Sequence, residues 1–277
     1  MTYTCGEGDT VLFLLSGGPG CPSDYLRNGH LRYAQKGYRV IAWDPSGTGE
    51  SSRHEDHELW SIDYFVEEAE AIRAALDCGA VHMLGHSWGG VQALEYYLKY
   101  SQNIKTLSFI STAFNLPMMQ RGFERMKQTL GSATMRMMAR REANGTTEHP
   151  EYQAVFTLLF YRHFCRMENP PKEVTEMDIR QAMLGKVFGR YLFNCTGTER
   201  GYDRTGDLHR VKAPALILHG EHDFIPAECA TLSRDYLPNA KLHVLEQTAH
   251  YPFYEEPVRY HALLSSFLET HKKAQTY

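Results

Sequence analysis

The sequence predicts an α/β fold, in which a mostly parallel sheet is covered by helices on both faces and carries an inserted helical cap. Two observations support the sheet: short, nearly continuous apolar runs recur along the chain, and longer stretches with helical periodicity separate them. A third supports the cap, because the alternation stops once, between residues 117 and 207, where only helical patterns occur.

The predicted strands are short runs rich in Val, Ile, Leu and Phe. They cover 11–15, 38–44, 81–84, 104–111, 213–220 and 240–246. Helical patterns alternate with them at 23–36, 62–77, 89–101, 227–237 and 257–271. Strands that are apolar at nearly every position are typical of parallel sheets buried on both faces.

The insertion contains three amphipathic stretches, FERMKQTLGSATMRMMARRE, EYQAVFTLLFYRHFCRM and VTEMDIRQAMLGKVFGRYLF. We therefore predict a core formed by 1–116 and 208–277, and a cap formed by 117–207. Most aromatic residues at helical spacing belong to a core, but six in the cap are candidates for an apolar acyl pocket. These are Phe156, Phe160, Tyr161, Phe188, Tyr191 and Phe193.

Composition narrows the class of partner. The net charge is −4 without a long basic cluster, which argues against nucleic acid, and no apolar run is long enough to span a membrane. The N-terminus is acidic where a signal peptide would be basic, so we expect a cytoplasmic protein. The six cysteines lack CxxC spacing, which indicates free thiols and no metal site. We expect a small molecule or short peptide as substrate, and no cofactor.

The stretch GHSWGG at 85–90 lies between a predicted strand and a predicted helix. In that context GxSxG predicts a nucleophile elbow, because the glycines permit a sharp turn that exposes the serine hydroxyl above the sheet. The alternative is a helix-capping serine in a tight turn. The helix N-terminus would also favour a developing anion at Ser87. We therefore predict Ser87 as the nucleophile.

A serine nucleophile requires a base and an acid that orients the base, in the chain order Ser, acid, His. Asp223 follows the strand ALILHG, and His250 follows the strand KLHVLE, so both lie in loops at strand ends. Glu221 is the competing acid, but it lies closer to its strand. Asp44 precedes Ser87, and we expect it to brace its loop by hydrogen bonds. We predict Asp223 and His250.

An oxyanion requires two N–H donors, one from the residue after the nucleophile and one from the loop after an early strand. The first donor is Trp88. The second belongs to the loop SGGPG at 16–20, where we expect Gly18, with Gly17 as the alternative.

These motifs resemble the prolyl iminopeptidase branch of the α/β-hydrolase family, and most closely the tricorn-interacting aminopeptidases. The likeness includes SGGPGCPSDYL, DPSGTGES, GHSWGG and HGEHDFIP, together with a long cap segment from HPEYQAVF onward. It implies an α/β-hydrolase fold and a serine hydrolase that releases an N-terminal residue, often proline, from a short peptide or amide.

The resemblance also implies glutamates that bind the free ammonium group of the substrate. Glu199 lies where the first is expected; the alternative is a surface glutamate paired with Arg200 or Arg204. Phe224 follows the predicted acid where the family has a second glutamate. Binding of the ammonium group by two carboxylates is then weakened, involves Glu221 or Asp203 as the second carboxylate, or is absent.

Two further departures from the family are SGGPG in place of HGGPG and a short N-terminus. The latter leaves room for only one short strand and no full hairpin before the oxyanion loop. Phe224 supports an alternative function, an esterase, lactonase or amide hydrolase of a biosynthetic pathway that needs no free amine. A binding protein on a hydrolase scaffold is a third possibility.

Overall fold

Seven strands form one sheet in the computed structural model, which describes residues 1–53, 59–191 and 193–272. The strands are β1 (Thr2–Cys5), β2 (Thr10–Leu15), β3 (Tyr38–Trp43), β4 (Val81–His86), β5 (Ile104–Ile110), β6 (Ala215–Gly220) and β7 (Ala240–Leu245). Their order is β1-β3-β2-β4-β5-β6-β7, and every pair is parallel except β1 with β3. The predicted fold class is confirmed.

The prediction of a single strand before the SGGPG loop is wrong, because β1 precedes β2. The two do not pair with each other; β1 runs antiparallel along β3, from Thr2 beside Trp43 to Cys5 beside Val40. Its four residues are mostly exposed, so no apolar run marked it in the sequence. This strand depends on pairing at the sheet edge and not on burial of its own side chains.

Helices cover both faces of the sheet, as predicted. Along β2 the side chains of Val11, Phe13 and Leu15 pack on one face with α2 (Ile62–Ala75) and α3 (Trp88–Tyr100). Leu12 and Leu14 pack on the other face with α1 (Asp24–His30) and α11 (Pro257–Thr270). This alternation follows from the two-residue period of a strand. Each face of the sheet therefore carries its own apolar core.

The remaining core helices are α9 (Ala227–Tyr236) and α10 (Pro252–Glu255), and a short 3₁₀ turn at Leu31–Lys36 follows α1. The loop after β3 is braced as predicted: the Asp44 carboxylate accepts hydrogen bonds from the backbone N–H groups of Ser23 and Glu50. No helix within the described residues has both the length and the apolar character needed to cross a bilayer.

The segment between β5 and β6 is helical, with α4 (Leu116–Gln128), α5 (Ser132–Ala143), α6 (Pro150–Leu159), a π-helical turn (Phe160–Phe164), α7 (Lys172–Thr175) and α8 (Gln181–Val187). The first predicted stretch divides at Gly131, whose φ is 82°. The third divides into α7 and α8, and its residue 192 lies outside the described residues. We refer to this helical segment as the cap; its boundaries at 117 and 207 stay a prediction.

The cap packs directly against the core near the predicted acid. A Cβ added to Gly122 in α4 would overlap Pro226, whereas one added to Gly185 in α8 would lie 3.9 Å from its nearest neighbour, Arg190 Cα. These two helical glycines therefore differ in how closely another element approaches them.

Gly122→Ala should destabilise the protein by about 1–3 kcal/mol, because the new methyl group forces the cap and Pro226 apart. Gly185→Ala is the matched control and should be neutral or stabilising by up to about 1 kcal/mol. Urea unfolding of both variants measures the difference. Equal stability of the two variants would contradict the close packing at Gly122.

Candidate active site

Ser87 occupies a sharp turn between β4 and α3. Its φ of 56° and ψ of −124° are unusual for a residue with a side chain, and such strain is typical of a nucleophile elbow. The flanking glycines allow the turn: a Cβ on Gly85 would overlap the Gly89 carbonyl oxygen, and a Cβ on Gly89 would overlap that of Leu15. The turn therefore presents Ser87 at the carboxyl end of the sheet.

Asp223 and His250 meet at the same end of the sheet, in the loops after β6 and β7. The Asp223 Oδ1 to His250 Nδ1 distance is 2.9 Å, and both side chains are almost fully buried. Because a carboxylate only accepts, Nδ1 carries the hydrogen, and in the neutral form of the imidazole Nε2 is then the acceptor. His250 and Ser87 line the same cavity.

No hydrogen bond joins Ser87 to His250 in the described part of the chain. Such bonds are often long in a free enzyme and tighten when substrate binds.

The environment keeps Asp223 ionised. Burial alone would raise its pKa, but attraction to His250 and the hydrogen bond between them outweigh burial, and the pKa is lowered. Ile225 N–H also donates to Asp223 Oδ1 at 2.9 Å. A permanently charged acid can orient His250 and stabilise it when it becomes protonated.

Glu221, the competing acid and a predicted substrate-binding residue, does not reach the site. It is exposed, and its carboxylate accepts the Gln247 N–H at 3.0 Å. It is not among the residues that line the cavity. The structure thus corrects this prediction: the turn after β6 directs Glu221 to the surface and Asp223 inward.

The SGGPG loop lies against the nucleophile. A Cβ on Gly17 would lie 2.9 Å from Ser87 Cβ, and Gly17, Gly18 and Trp88 all line the cavity. The Gly17 N–H donates to the Tyr25 hydroxyl at 2.7 Å. The backbone N–H groups of Gly18 and Trp88 have no partner among the described residues, which favours them as the oxyanion donors.

His86 and Tyr25 link the loops of the site, an arrangement that the sequence analysis missed. His86 Nδ1 lies 2.9 Å from the Tyr25 hydroxyl, and His86 Nε2 lies 2.8 Å from the His250 carbonyl oxygen. Because Nε2–H must donate to that carbonyl, Nδ1 accepts from Tyr25. Burial keeps the pKa of His86 well below its ordinary value, so His86 is neutral and is not the base for Ser87.

Glu199 is buried beside the elbow, with 8% of its surface exposed. Its Oε2 accepts the indole Nε1–H of Trp88 at 2.8 Å, and its Oε1 is buried without a hydrogen-bond partner among the described residues. Arg204 pairs with Glu95 instead, and Arg200 forms no ion pair with Glu199. The alternative interpretation as a surface ion pair is therefore wrong.

Burial raises the pKa of Glu199 to about 8, although the Trp88 hydrogen bond acts in the opposite direction. No Lys, Arg or His among the described residues forms an ion pair with Glu199. A buried carboxylate with a free oxygen is suited to a cationic or hydrogen-bond-donating ligand.

The cavity has a volume of about 240 Å³ and a mostly apolar wall. Of the six predicted cap aromatics, Phe156, Phe160 and Phe188 line it, whereas Tyr161, Tyr191 and Phe193 do not. None of its described lining residues is Asp, Glu, Lys or Arg, so Glu199 is not part of the wall and is joined to it through Trp88.

Phe224 lies in the cavity wall, at the position where the resemblance implies a second glutamate. Its ring stacks on Phe164 at 4.2 Å between centroids and lies 4.4 Å from the ring of His250. Asp203 does not replace the missing carboxylate, because it is exposed and binds Asn115 and the Thr205 N–H. Glu199 is thus the only predicted ammonium-binding carboxylate beside the elbow.

Within residues 1–53, 59–191 and 193–272, no group of three or more His, Cys, Asp or Glu side chains is placed to hold a metal ion.

Comparisons with known proteins agree with this geometry. A family profile described as alpha/beta hydrolase fold matches residues 10–257. The proline iminopeptidase of Heyndrickxia coagulans is 34% identical over 95% of this chain and 92% of its own length. That of Thermoplasma volcanium is 30% identical over 93% of this chain and 88% of its own. The crystal structure of the Mycobacterium smegmatis proline iminopeptidase has a TM-score of 0.89, at 26% identity, and covers 98% of this chain and 94% of its own. The resemblance seen in the motifs is confirmed.

Asp223→Asn should lower kcat by about 10⁴-fold on any substrate that the wild type hydrolyses, because the amide favours the wrong tautomer of His250. Glu221→Gln is the matched control and should keep kcat within about twofold, since that side chain faces solvent. Steady-state kinetics on both variants, with circular dichroism to verify folding, makes the comparison. A large loss in the Glu221 variant alone would reverse the assignment of the acid.

Proposed function

The chain belongs to the α/β-hydrolase family, and we propose that it is a serine hydrolase that releases an N-terminal proline-like or small apolar residue from a short peptide or amide. Ser87, Asp223 and His250 act as the triad, and Gly18 and Trp88 as the oxyanion donors. The names of the relatives support the peptidase activity. The proposal includes a cytoplasmic location, which the six free cysteines support.

In the first half-reaction His250 Nε2 takes the proton of Ser87 Oγ as the oxygen attacks the substrate carbonyl. The tetrahedral oxyanion accepts hydrogen bonds from the Gly18 and Trp88 N–H groups. The C–N bond then breaks, and protonated His250 donates its proton to the leaving amine. In the second half-reaction His250 takes a proton from water, the hydroxide attacks the acyl-enzyme, and Ser87 regains its proton as the acid leaves.

The aminopeptidase assignment rests on one observation, the burial of the Glu199 carboxylate beside the elbow. The indole of Trp88 donates to one carboxylate oxygen, and the backbone N–H of the same residue is the proposed oxyanion donor. One residue thus connects the proposed ammonium site with the reacting carbonyl. An ammonium group bound by Glu199 Oε1 would place the first residue of a peptide, and no later one, at Ser87.

Phe224 favours a second candidate function, hydrolysis of an ester or amide without a free amine. The wall around His250 is aromatic where a second carboxylate would strengthen ammonium binding. In this case Glu199 would be a buried acid held neutral by its raised pKa.

A panel of aminoacyl-2-naphthylamides, each with its N-acetylated counterpart, separates the two candidates. The proposal predicts turnover of the prolyl or small apolar free amines and loss of most activity when the amine is blocked. Equal turnover of both forms would support the second candidate and contradict the aminopeptidase.

Glu199→Gln should lower kcat/KM for the free aminoacyl amide by about 10- to 100-fold, because a charge-assisted hydrogen bond to the ammonium is lost. It should not change kcat/KM for a simple ester. Glu70→Gln is the control: it removes an ion pair with Arg73, and neither residue lines the cavity. A similar loss in both variants would show that Glu199 acts through folding.

The preference for the free amine should depend on pH. The Glu199 carboxylate gains its charge as the pH rises through about 8, whereas the substrate ammonium, with a pKa of about 8, loses its charge over the same range. The kcat/KM ratio of free to N-acetylated substrate should therefore rise from pH 6 towards pH 8 and fall above it. A ratio that stays constant between pH 6 and 8 would argue against Glu199, and the rise should disappear in Glu199→Gln.

A further inference from the structure

One carboxylate holds the loop of His250 from both sides. Glu255 Oε2 accepts the Ala249 N–H at 2.9 Å, and Glu255 Oε1 accepts the Tyr251 N–H at 2.9 Å. These two N–H groups belong to the residues directly before and after His250. The two oxygens of a planar carboxylate therefore fix the backbone on each side of the proposed base.

The same carboxylate also binds the cap. Glu255 Oε2 accepts the Arg166 N–H at 3.0 Å, and two residues earlier the Phe164 carbonyl oxygen accepts the His250 N–H at 2.9 Å. Glu255 is half-buried, and all three of its hydrogen-bond donors are backbone groups. The histidine loop is thus joined to the cap through its own N–H and through Glu255.

The acid loop is joined to the cap segment 163–166 as well. Phe224 N–H, next to Asp223, donates to the His163 carbonyl oxygen at 3.0 Å, and His163 Nδ1 donates to the His222 carbonyl oxygen at 2.9 Å. This segment begins at the end of the π-helical turn, and such turns are frequent at functional sites. The loops of Asp223 and His250 therefore share one support in the cap.

We propose that Glu255 is a positioning residue that sets the place of His250 and makes the geometry of the triad depend on a docked cap. The inference rests on the proposed acyl-transfer mechanism. Loss of the carboxylate frees both neighbours of His250 together with Arg166 of the cap. A displacement of about 1 Å at a reacting group costs about 10²-fold in rate, so this loss acts on kcat more than on binding.

Glu255→Gln tests the proposal, because it keeps the size of the side chain but leaves one acceptor oxygen for three N–H donors. We expect kcat to fall about 10- to 100-fold with little change in KM. The aspartate of Glu255→Asp is too short to reach both sides of His250. The kcat of this variant should lie between those of the wild type and Glu255→Gln. Glu255→Asp also provides a folded variant if Glu255→Gln does not fold.

Glu68→Gln is the matched control. Glu68 is likewise half-buried and accepts the Trp43 indole N–H at 3.1 Å and the Ser46 N–H at 2.8 Å, but it does not line the cavity. This variant should lose stability and keep its kcat. A folded Glu255 variant with the kcat of the wild type, or an equal loss of kcat in Glu68→Gln, would overturn the proposal.

Amide hydrogen exchange gives a second measurement that needs no substrate. The amides of Ala249, Tyr251 and Arg166 should be protected in the wild type and should exchange together faster in the Glu255 variants, but not in Glu68→Gln. If the wild type hydrolysed no ester or amide, the proposed function would be wrong. The exchange rates of the three amides would still show whether Glu255 holds the backbone around His250. Unchanged exchange at all three amides would contradict that role.

Discussion

The strained turn at Ser87 is the constraint on which the rest of the site depends. A left-handed backbone at a residue with a Cβ costs about 1–3 kcal/mol and persists only where the surroundings enforce it. Here the enforcing contacts are close backbone approaches at Gly85 and Gly89, one of them to the end of β2. Because β2 leads directly into the SGGPG loop, the contact that holds the turn also brings the predicted oxyanion donors to the nucleophile. The same turn starts α3, so in the proposed mechanism the N–H of Trp88 and the positive end of the helix act on the reacting carbonyl.

Two buried carboxylates near this turn have opposite electrostatic environments, and their different proposed roles follow from that. Asp223 is paired with His250, so its pKa is lowered despite complete burial. Glu199 accepts an indole N–H but has no cationic partner in the described part of the chain, and burial raises its pKa to about 8. A carboxylate that is already paired with a histidine can orient that histidine as a base. A carboxylate without a cationic partner is suited to bind the ammonium group of a substrate. Phe156, Phe160 and Phe188 of the cap line the cavity, and apolar surroundings strengthen electrostatic interactions.

Much of this arrangement could be predicted from the sequence, because local patterns encode it. Apolar runs located β2 to β7, and the strand, turn and helix around GHSWGG indicated where Ser87 would stand. The position of Asp223 and His250 after successive strands was enough to bring them together, since parallel strands end at one edge of the sheet. Features that arise from distant contacts were not visible. Strand β1 is short and exposed and exists through edge pairing, and Glu221 differs from Asp223 only in the direction of a turn. The Tyr25 and His86 contact, and the three N–H groups bound by Glu255, join segments that no local pattern relates.

The proposed mechanism requires Ser87 to form a covalent acyl-enzyme, which labelling with a fluorophosphonate detects. We expect one adduct per chain by intact mass, located by peptide mapping on Ser87, and no adduct in Ser87→Ala. Labelling should be strongly slowed in His250→Ala, because the serine then lacks its base. An unlabelled wild-type protein, or an adduct on another residue, would show that Ser87 is not the nucleophile.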